Sequence, residues 1–282
     1  RYLFGDISIT GAAPEPTGIA RDALNLATGD PIVAARVEAA EANVMLRLPQ
    51  LGYPFVEVGA RDILLDEATR RGDYTLPLTS GPKAVFGDFR VQGDPVFDPD
   101  HIDLLARFRP GQLYDSRRVE DLKQAMIATA LFSNVAVEPV HTGIVAEDGT
   151  ERVDLAVTQT EGPARQLAAS AGYGTGQGIK LTGSWTHRNL FPPEGAVMVA
   201  AVAGTQEQSL SGTFRRSNAG RRDRAFQAGA SIGRQDFNAF NAYSVTLNAS
   251  IARVSTPLWQ KRWTYTLGAE ILRLWVAATD YS

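Results

Sequence analysis

Two stretches of the chain repeat each other at a fixed distance, and this restricts the fold more than any other feature, because each copy must then be one supersecondary unit. Phe4-Gly5-Asp6 followed by Gly11 returns 82 positions later as Phe86-Gly87-Asp88 followed by Gly93. Gly29 and Arg36-Val37-Glu38 return at the same offset of 82 as Gly111 and Arg118-Val119-Glu120. Four landmarks sharing one offset define two modules of about 80 residues, residues 1–82 and 83–163.

Each copy reads as strand, short helix, longer helix, strand, strand. In the first, Tyr2 to Thr10 is extended, and Thr17 is expected to cap a short helix ending near Gly29. Val33, Val37, Ala40, Val44 and Leu48 fall at spacings of 3 and 4 and form one helical face, closed by Pro49 and Gly52. Extended segments follow near Phe55–Leu65 and Asp73–Leu78, with Arg70-Arg71-Gly72 as the turn between them. In the second copy the corresponding parts are a strand over Val85–Gln92, a helix over Asp100–Phe108, and a longer helix from Ser116 with Val119, Leu122 and Met126 inward. Strands over Asn134–Val140 and Arg152–Thr158 complete it.

Beyond Pro163 helical spacing gives way to alternation. Tyr243, Val245, Leu247, Ala249 and Ile251 alternate with Ser244, Thr246, Asn248 and Ser250, and Trp263 to Ile271 and Phe226 to Gly233 do the same. Leu167 to Tyr173, Ile179 to Trp185 and Leu210 to Phe214 are earlier instances. Strands of about ten residues with this period, ending in aromatics, suit a barrel with lipid outside and water inside. A water-soluble β-sandwich alternates for the same geometric reason, so the pattern leaves both open. About seven strands fit into residues 164–282. Seven is an odd number with open edges, so either the chain is a piece of a longer barrel or strands from elsewhere complete the wall, and the abrupt end at Thr279-Asp280-Tyr281-Ser282 favours the piece.

Composition removes several alternatives. A net charge of -3 and an isoelectric point near 5.7 argue against a basic nucleic-acid surface. The absence of cysteine removes disulfides, thiolate metal sites and cysteine nucleophiles. No apolar run reaches the roughly 20 residues of a spanning helix, and Arg1-Tyr2-Leu3-Phe4-Gly5 is not a signal peptide, so an exported chain would carry its targeting segment elsewhere.

Gly81-Pro82-Lys83-Ala84-Val85-Phe86-Gly87 ahead of a β-α-α-β-β module resembles the start of a polypeptide-transport-associated (POTRA) domain. Tyr114-Asp115, Arg118-Val119-Glu120-Asp121-Leu122 and Ala130-Leu131-Phe132-Ser133-Asn134-Val135 resemble its second helix and following strand. Gly172 to Gly178, Trp185 and Arg188-Asn189-Leu190-Phe191 resemble the first barrel hairpin of BamA and TamA proteins. The resemblance covers the whole chain, with the TamA type matching best. It implies α+β POTRA repeats followed by an antiparallel transmembrane β-barrel, present here only in part: of three modules and sixteen strands, two modules and about seven strands. The later Arg-Gly loop motif and the closing strand of the family are not in the sequence.

From the resemblance come a Gram-negative outer-membrane location with POTRA modules in the periplasm, and a role in assembling outer-membrane or autotransporter clients. The implied partners are unfolded clients, the lipid bilayer and an inner-membrane-anchored TamB-like protein, with no nucleic acid and no cofactor. The first barrel strand, carrying Gln166, Leu167, Ala168, Ala169, Ser170, Ala171 and Gly172, is the implied client-strand seam, its small residues suiting a weak pairing. Val135 and Val137 are candidates for a POTRA edge that takes up extended segments. Arg215, Arg216, Arg221, Arg222 and Arg224 bracket Ser217-Asn218-Ala219-Gly220 in a turn expected on the periplasmic side, facing lipid head groups, the POTRA modules or solvent. Asn189 to Gly195 is a second such turn, with Phe191 at the interface.

Other motifs carry no chemistry. Gly172 to Gly178 lacks the Gly-Lys-Ser/Thr of a phosphate loop and reads as a hairpin turn. His101, His141 and His187 are far apart and are expected on the surface or in loops, with no metal site. No Gly-X-Ser-X-Gly elbow is present, and no catalytic residue is assigned. The rival readings are a two-partner secretion pore exporting a dedicated soluble partner and a soluble β-rich enzyme with binding modules.

Overall fold

The computed structural model describes residues 2–175, 178–237, 240–255 and 263–278. The first copy of the repeat consists of β1 (Leu3–Thr10), α1 (Pro14–Leu24), α2 (Ala34–Gln50), β2 (Glu57–Val58), β3 (Asp62–Asp66) and β4 (Arg71–Thr79). The second consists of β5 (Ala84–Gly93), α3 (Pro99–Leu105), α4 (Ser116–Ala128), β6 (Phe132–Val145) and β7 (Glu151–Glu161). Antiparallel strands follow: β8 (Arg165–Gly174), β9 (Gly178–Phe191), β10 (Gly195–Gly204), β11 (Glu207–Arg216), β12 (Arg224–Phe237), β13 (Phe240–Ser255) and β14 (Trp263–Ala278).

The offset of 82 has a common physical cause in both copies. Phe4 and Phe86 are fully buried, each contributing about 2 to 3 kcal/mol. The next residue must be glycine, because a Cβ at Gly5 would overlap Asp73 Oδ1 and one at Gly87 would overlap Asp154 Oδ1. Those carboxylates accept the amide protons of Asp6 (2.7 Å) and Asp88 (2.9 Å). Gly29 and Gly111, at φ of 89° and 84°, each donate to the carbonyl of their phenylalanine at 2.8 Å. Arg36 and Arg118 each hold the turn after the glycine, through Asp30 Oδ2 (2.6 Å) and Gln112 Oε1 (2.9 Å).

Local details depart from the sequence reading. Thr17 does not cap α1; the helix begins at Pro14, whose missing N–H costs nothing at that position, and the Thr17 hydroxyl bonds Ala12 O instead. Val37, Ala40, Val44 and Leu48 face the core of α2, but Val33 is the exposed N-cap and Pro49 lies inside the last turn. The segment read as one strand over Phe55–Leu65 is two, β2 and β3, both antiparallel to β4. Arg71 and Gly72 already belong to β4, leaving Arg70, at φ 54°, as the last turn residue.

β1 runs parallel to β4, and the second copy forms a sheet in the order β5-β7-β6. β8 to β14 form one seven-stranded meander with β8 and β14 at its edges. By packing, the chain divides into two compact units. One is Arg1–Arg90 with Ala106–Leu122 and Ala136–Val157; the other is Val91–Leu105 with Lys123–Val135 and Thr158–Ser282.

The meander's register sorts its side chains by face. One cross-strand row reads Leu167, Trp185, Val199, Gly212, Ala230, Leu247 and Ile271 across all seven strands. The row beside it, on the opposite face, reads Gln166, Thr186, Met198, Thr213, Gly229, Asn248 and Glu270. The apolar face is uncovered: Leu167 is 81% exposed, Leu267 77% and Ile271 69%. Leu272, Leu274 and Val276 break the polar face at one end of β14. No helix among the described residues is long and apolar enough to cross a membrane.

Candidate functional site

The seam residues occupy an edge. Among the described residues β8 pairs with β9 alone, in continuous register from Arg165↔His187 to Gly174↔Gly178, so its second side offers unpaired backbone groups. Gln166, Leu167, Ala168, Ala169, Ser170, Ala171 and Gly172 are all exposed. Polar ties to β9 are few: Ser170 Oγ and Thr182 Oγ1 lie 2.5 Å apart, and Arg188 reaches Gln166 Oε1 (2.8 Å) and Pro163 O (3.1 Å). With no large side chain at positions 168 to 172, cross-strand packing on that stretch adds little to the ladder. The turn after it, Gly172 to Gly178, lies partly outside the described residues.

The second candidate edge is β6, at one side of its three-stranded sheet. Val135 points into the core at 4% exposure, whereas Val137 is half-buried. On this strand the backbone, and not Val135, is what an incoming segment would meet.

The five arginines do not form one patch. Arg215 stands opposite Gln227 on the polar face. Arg216 and Arg224 lie on the apolar face beside Phe226. Arg216 donates to Phe191 O (3.1 Å) and Arg224 Nε to Ala219 O (2.5 Å). Arg221 is an exposed turn residue whose carbonyl accepts from the Arg224 amide. Arg222 donates from Nη1 to Leu105 O at 2.6 Å, closing the end of α3.

That last bond belongs to a junction that no local pattern of residues announces. The β9–β10 turn presents Glu194, 4% exposed, with Oε1 2.7 Å from His101 Nε2 of α3. Asn218, from the β11–β12 turn, donates to both Glu194 oxygens at 2.9 Å, and Asn189 Oδ1 accepts the Glu194 amide. α3 is held from the other side as well. Phe97, just before it, packs on His101 and Phe132 and is clamped at both backbone atoms by the Gln159 carboxamide (2.9 and 2.8 Å). Two turns of the meander are thus tied to one short helix by a buried, fully bonded carboxylate.

Of the three histidines only His101 departs from the expected surface or loop position; His141 is exposed, and His187 is half-buried, each on a strand. His101 is buried because Glu194 supplies its partner. His141 lies on β6, stacked on Phe55 at 3.5 Å and bonded to Glu151. His187 lies on β9, on the apolar face opposite Val197. Among the described residues no three metal-binding side chains converge.

No family model and no curated protein matches the chain. Solved structures do. The chain is similar to BamA from Haemophilus ducreyi lacking POTRA domains 1–3, with a TM-score of 0.79 at 14% identity over 98% of this chain and 52% of that one. CdiB from Escherichia coli matches with a TM-score of 0.50 at 11% identity, over 99% of this chain and 53% of that one. The chain thus spans about half the length of these two structures, and what it shares with them is the fold: POTRA-like modules followed by part of a barrel wall.

Proposed function

We propose that this chain, whose fold is that of the BamA/TamA superfamily, is part of an outer-membrane assembly factor that receives client strands on its periplasmic modules and helps insert them at the β8 edge. The observation that carries the reading is the uncovered apolar row running from Leu167 to Ile271 across all seven strands, above a polar opposite face. A soluble protein would leave that face in water. In a bilayer the same face is solvated, and the unpaired backbone of β8 becomes the place where another strand gains hydrogen bonds it cannot find in lipid.

On this reading residues 1–82 and 83–163 are POTRA modules in the periplasm, residues 164–282 are the opening strands of the barrel, and the role needs neither nucleotide nor a catalytic residue. Within the superfamily the TamA type, with a TamB-like inner-membrane partner, is the finer assignment and rests on the sequence of the module adjoining the barrel.

The test is site-specific crosslinking in the full-length protein from positions 166 to 172 during client assembly. Adducts to a client's strand are expected to concentrate on alternate positions, as one edge pairing with another requires. Adducts confined to the POTRA modules would remove the seam from the mechanism. The second reading, a two-partner secretion pore, is favoured by the fold shared with CdiB. It predicts instead that a soluble partner crosslinks to polar-face positions such as Thr213 and Asn248.

A further inference from the structure

Among the described residues, four buried side-chain polar atoms lack a hydrogen-bond partner, and three are arginine Nε atoms, of Arg216, Arg234 and Arg253. All three arginines lie on the apolar face of the meander, where a partnerless guanidinium N–H is costly. Two stand at the end of the strands that meets α3. There Arg216 faces Phe226, and Arg253 faces both Tyr265 and Arg224. Arg224 and Arg253 are directly opposed like charges, an unfavourable pairing unless an anion lies between them. None of Arg216, Arg224 and Arg253 has a carboxylate partner among the described residues. Beside them Phe191, Phe214 and Phe226, with Arg216 and Ala219, line a concavity of about 480 Å³.

The opposite rim fixes the depth. Arg224 and Arg234 are ten residues apart on β12. At about 3.3 Å per residue and a tilt of about 40°, that is about 25 Å along the membrane normal, the height of a barrel's apolar band. At the far rim Arg234 lies over Tyr243 (5.7 Å) and Arg273 over Trp275 (5.0 Å), arrangements suited to an interface. The three near-rim arginines therefore sit at head-group level in the leaflet on the α3 side.

We propose that Arg216, Arg224 and Arg253 form a binding site for the phosphodiester of a phospholipid in that leaflet. The guanidinium forks match phosphate oxygens and separate the opposed charges. The aromatic concavity takes the first acyl carbons. The proposal rests on the membrane reading given above.

Its test uses the full-length protein in detergent, delipidated and titrated in native mass spectrometry with phosphatidylglycerol, uncharged diacylglycerol or inorganic phosphate. Wild type is expected to retain phosphatidylglycerol and neither of the others. Arg253→Gln breaks no side-chain hydrogen bond among the described residues, and is expected to lower retention about tenfold, the equivalent of one charge-assisted bond. Arg224→Gln with Arg253→Gln should lower it further, Arg253→Lys should restore part, and Arg215→Gln, on the polar face, should leave it unchanged. Equal retention by Arg253→Gln and wild type overturns the site, as does diacylglycerol bound as well as phosphatidylglycerol. Phosphate bound as well as the lipid overturns the lipid as occupant. Failure of wild type to sediment with vesicles defeats the membrane reading instead, and the site with it.

Discussion

Gly87→Ala is expected to destabilise its module by about 3 kcal/mol, because the new methyl overlaps the Asp154 carboxylate and also comes within 3.0 Å of Val153 O. The carboxylate cannot simply move. It accepts from the Asp88 amide and from Arg90 Nε at 2.8 Å, and Asp154 is 8% exposed. Gly5→Ala should cost a similar amount against Asp73, but with a different rescue. Every atom within 3.4 Å of a Cβ at Gly5 belongs to the Asp73 side chain, so Asp73→Ala should remove most of the penalty. At Gly87 the Val153 carbonyl remains, and Asp154→Ala should rescue only part. Hydrogen exchange of β1 and β4 amides, and of β5 and β7 amides, in the full-length protein measures both cycles. Full rescue in both modules, or in neither, would contradict this account of the repeat.

Removing Glu194 should undo the junction between α3 and the meander. Glu194→Ala leaves the buried His101 ring and the Asn218 amide without acceptors, a loss of about 3 kcal/mol on the scale of breaking a buried pair from one side. Glu194→Gln keeps the shape and one acceptor oxygen, and should lose less. The readout is hydrogen exchange of α3 amides together with those of Ser217 and Asp223, which bond Glu194 O and Asn218 Oδ1. Protection should fall in all of these together, while β1 and β4 stay protected. Loss confined to the turn, with α3 unaffected, would mean that Arg222 and the Phe97 clamp hold the helix without the carboxylate.

These two sites differ in how far the sequence announced them. The repeat was legible because a buried phenylalanine, a glycine that admits a carboxylate, and a glycine at positive φ each demand one residue type. Repeating the geometry therefore repeats the letters. The acceptors were not legible. Asp73 and Asp154 are separated by one position fewer than the glycines they touch, so the offset that found the motif passed over its partner. Glu194 and His101 are 93 residues apart and obey no local period. The apolar alternation gave β12, β13 and β14 clearly, but β10 was hidden. Its Gly195–Gly204 segment places small or apolar residues on both faces, so period two leaves no contrast there. The five arginines adjoining one turn looked like a unit, yet strand parity sends Arg215 to one face and Arg216 to the other. Arg253, distant in sequence, completes the set that matters for lipid only through its pairing with Arg224.

The central claim is that the apolar face of the meander meets lipid, and the absence of cysteine from these 282 residues makes every position on it open to single-cysteine labelling. Single cysteines at each position from 226 to 232 and from 245 to 251 of the full-length protein, labelled with a fluorophore in vesicles, can be quenched by nitroxide-bearing lipid. Quenching should alternate with period two, strong at Phe226, Ala228, Ala230, Ile232, Leu247 and Ala249, and weak at Gln227, Gly229, Ser231, Asn248 and Ser250. Uniformly weak quenching, with every position open to a water-borne quencher, would contradict it and return the strands to a soluble sandwich.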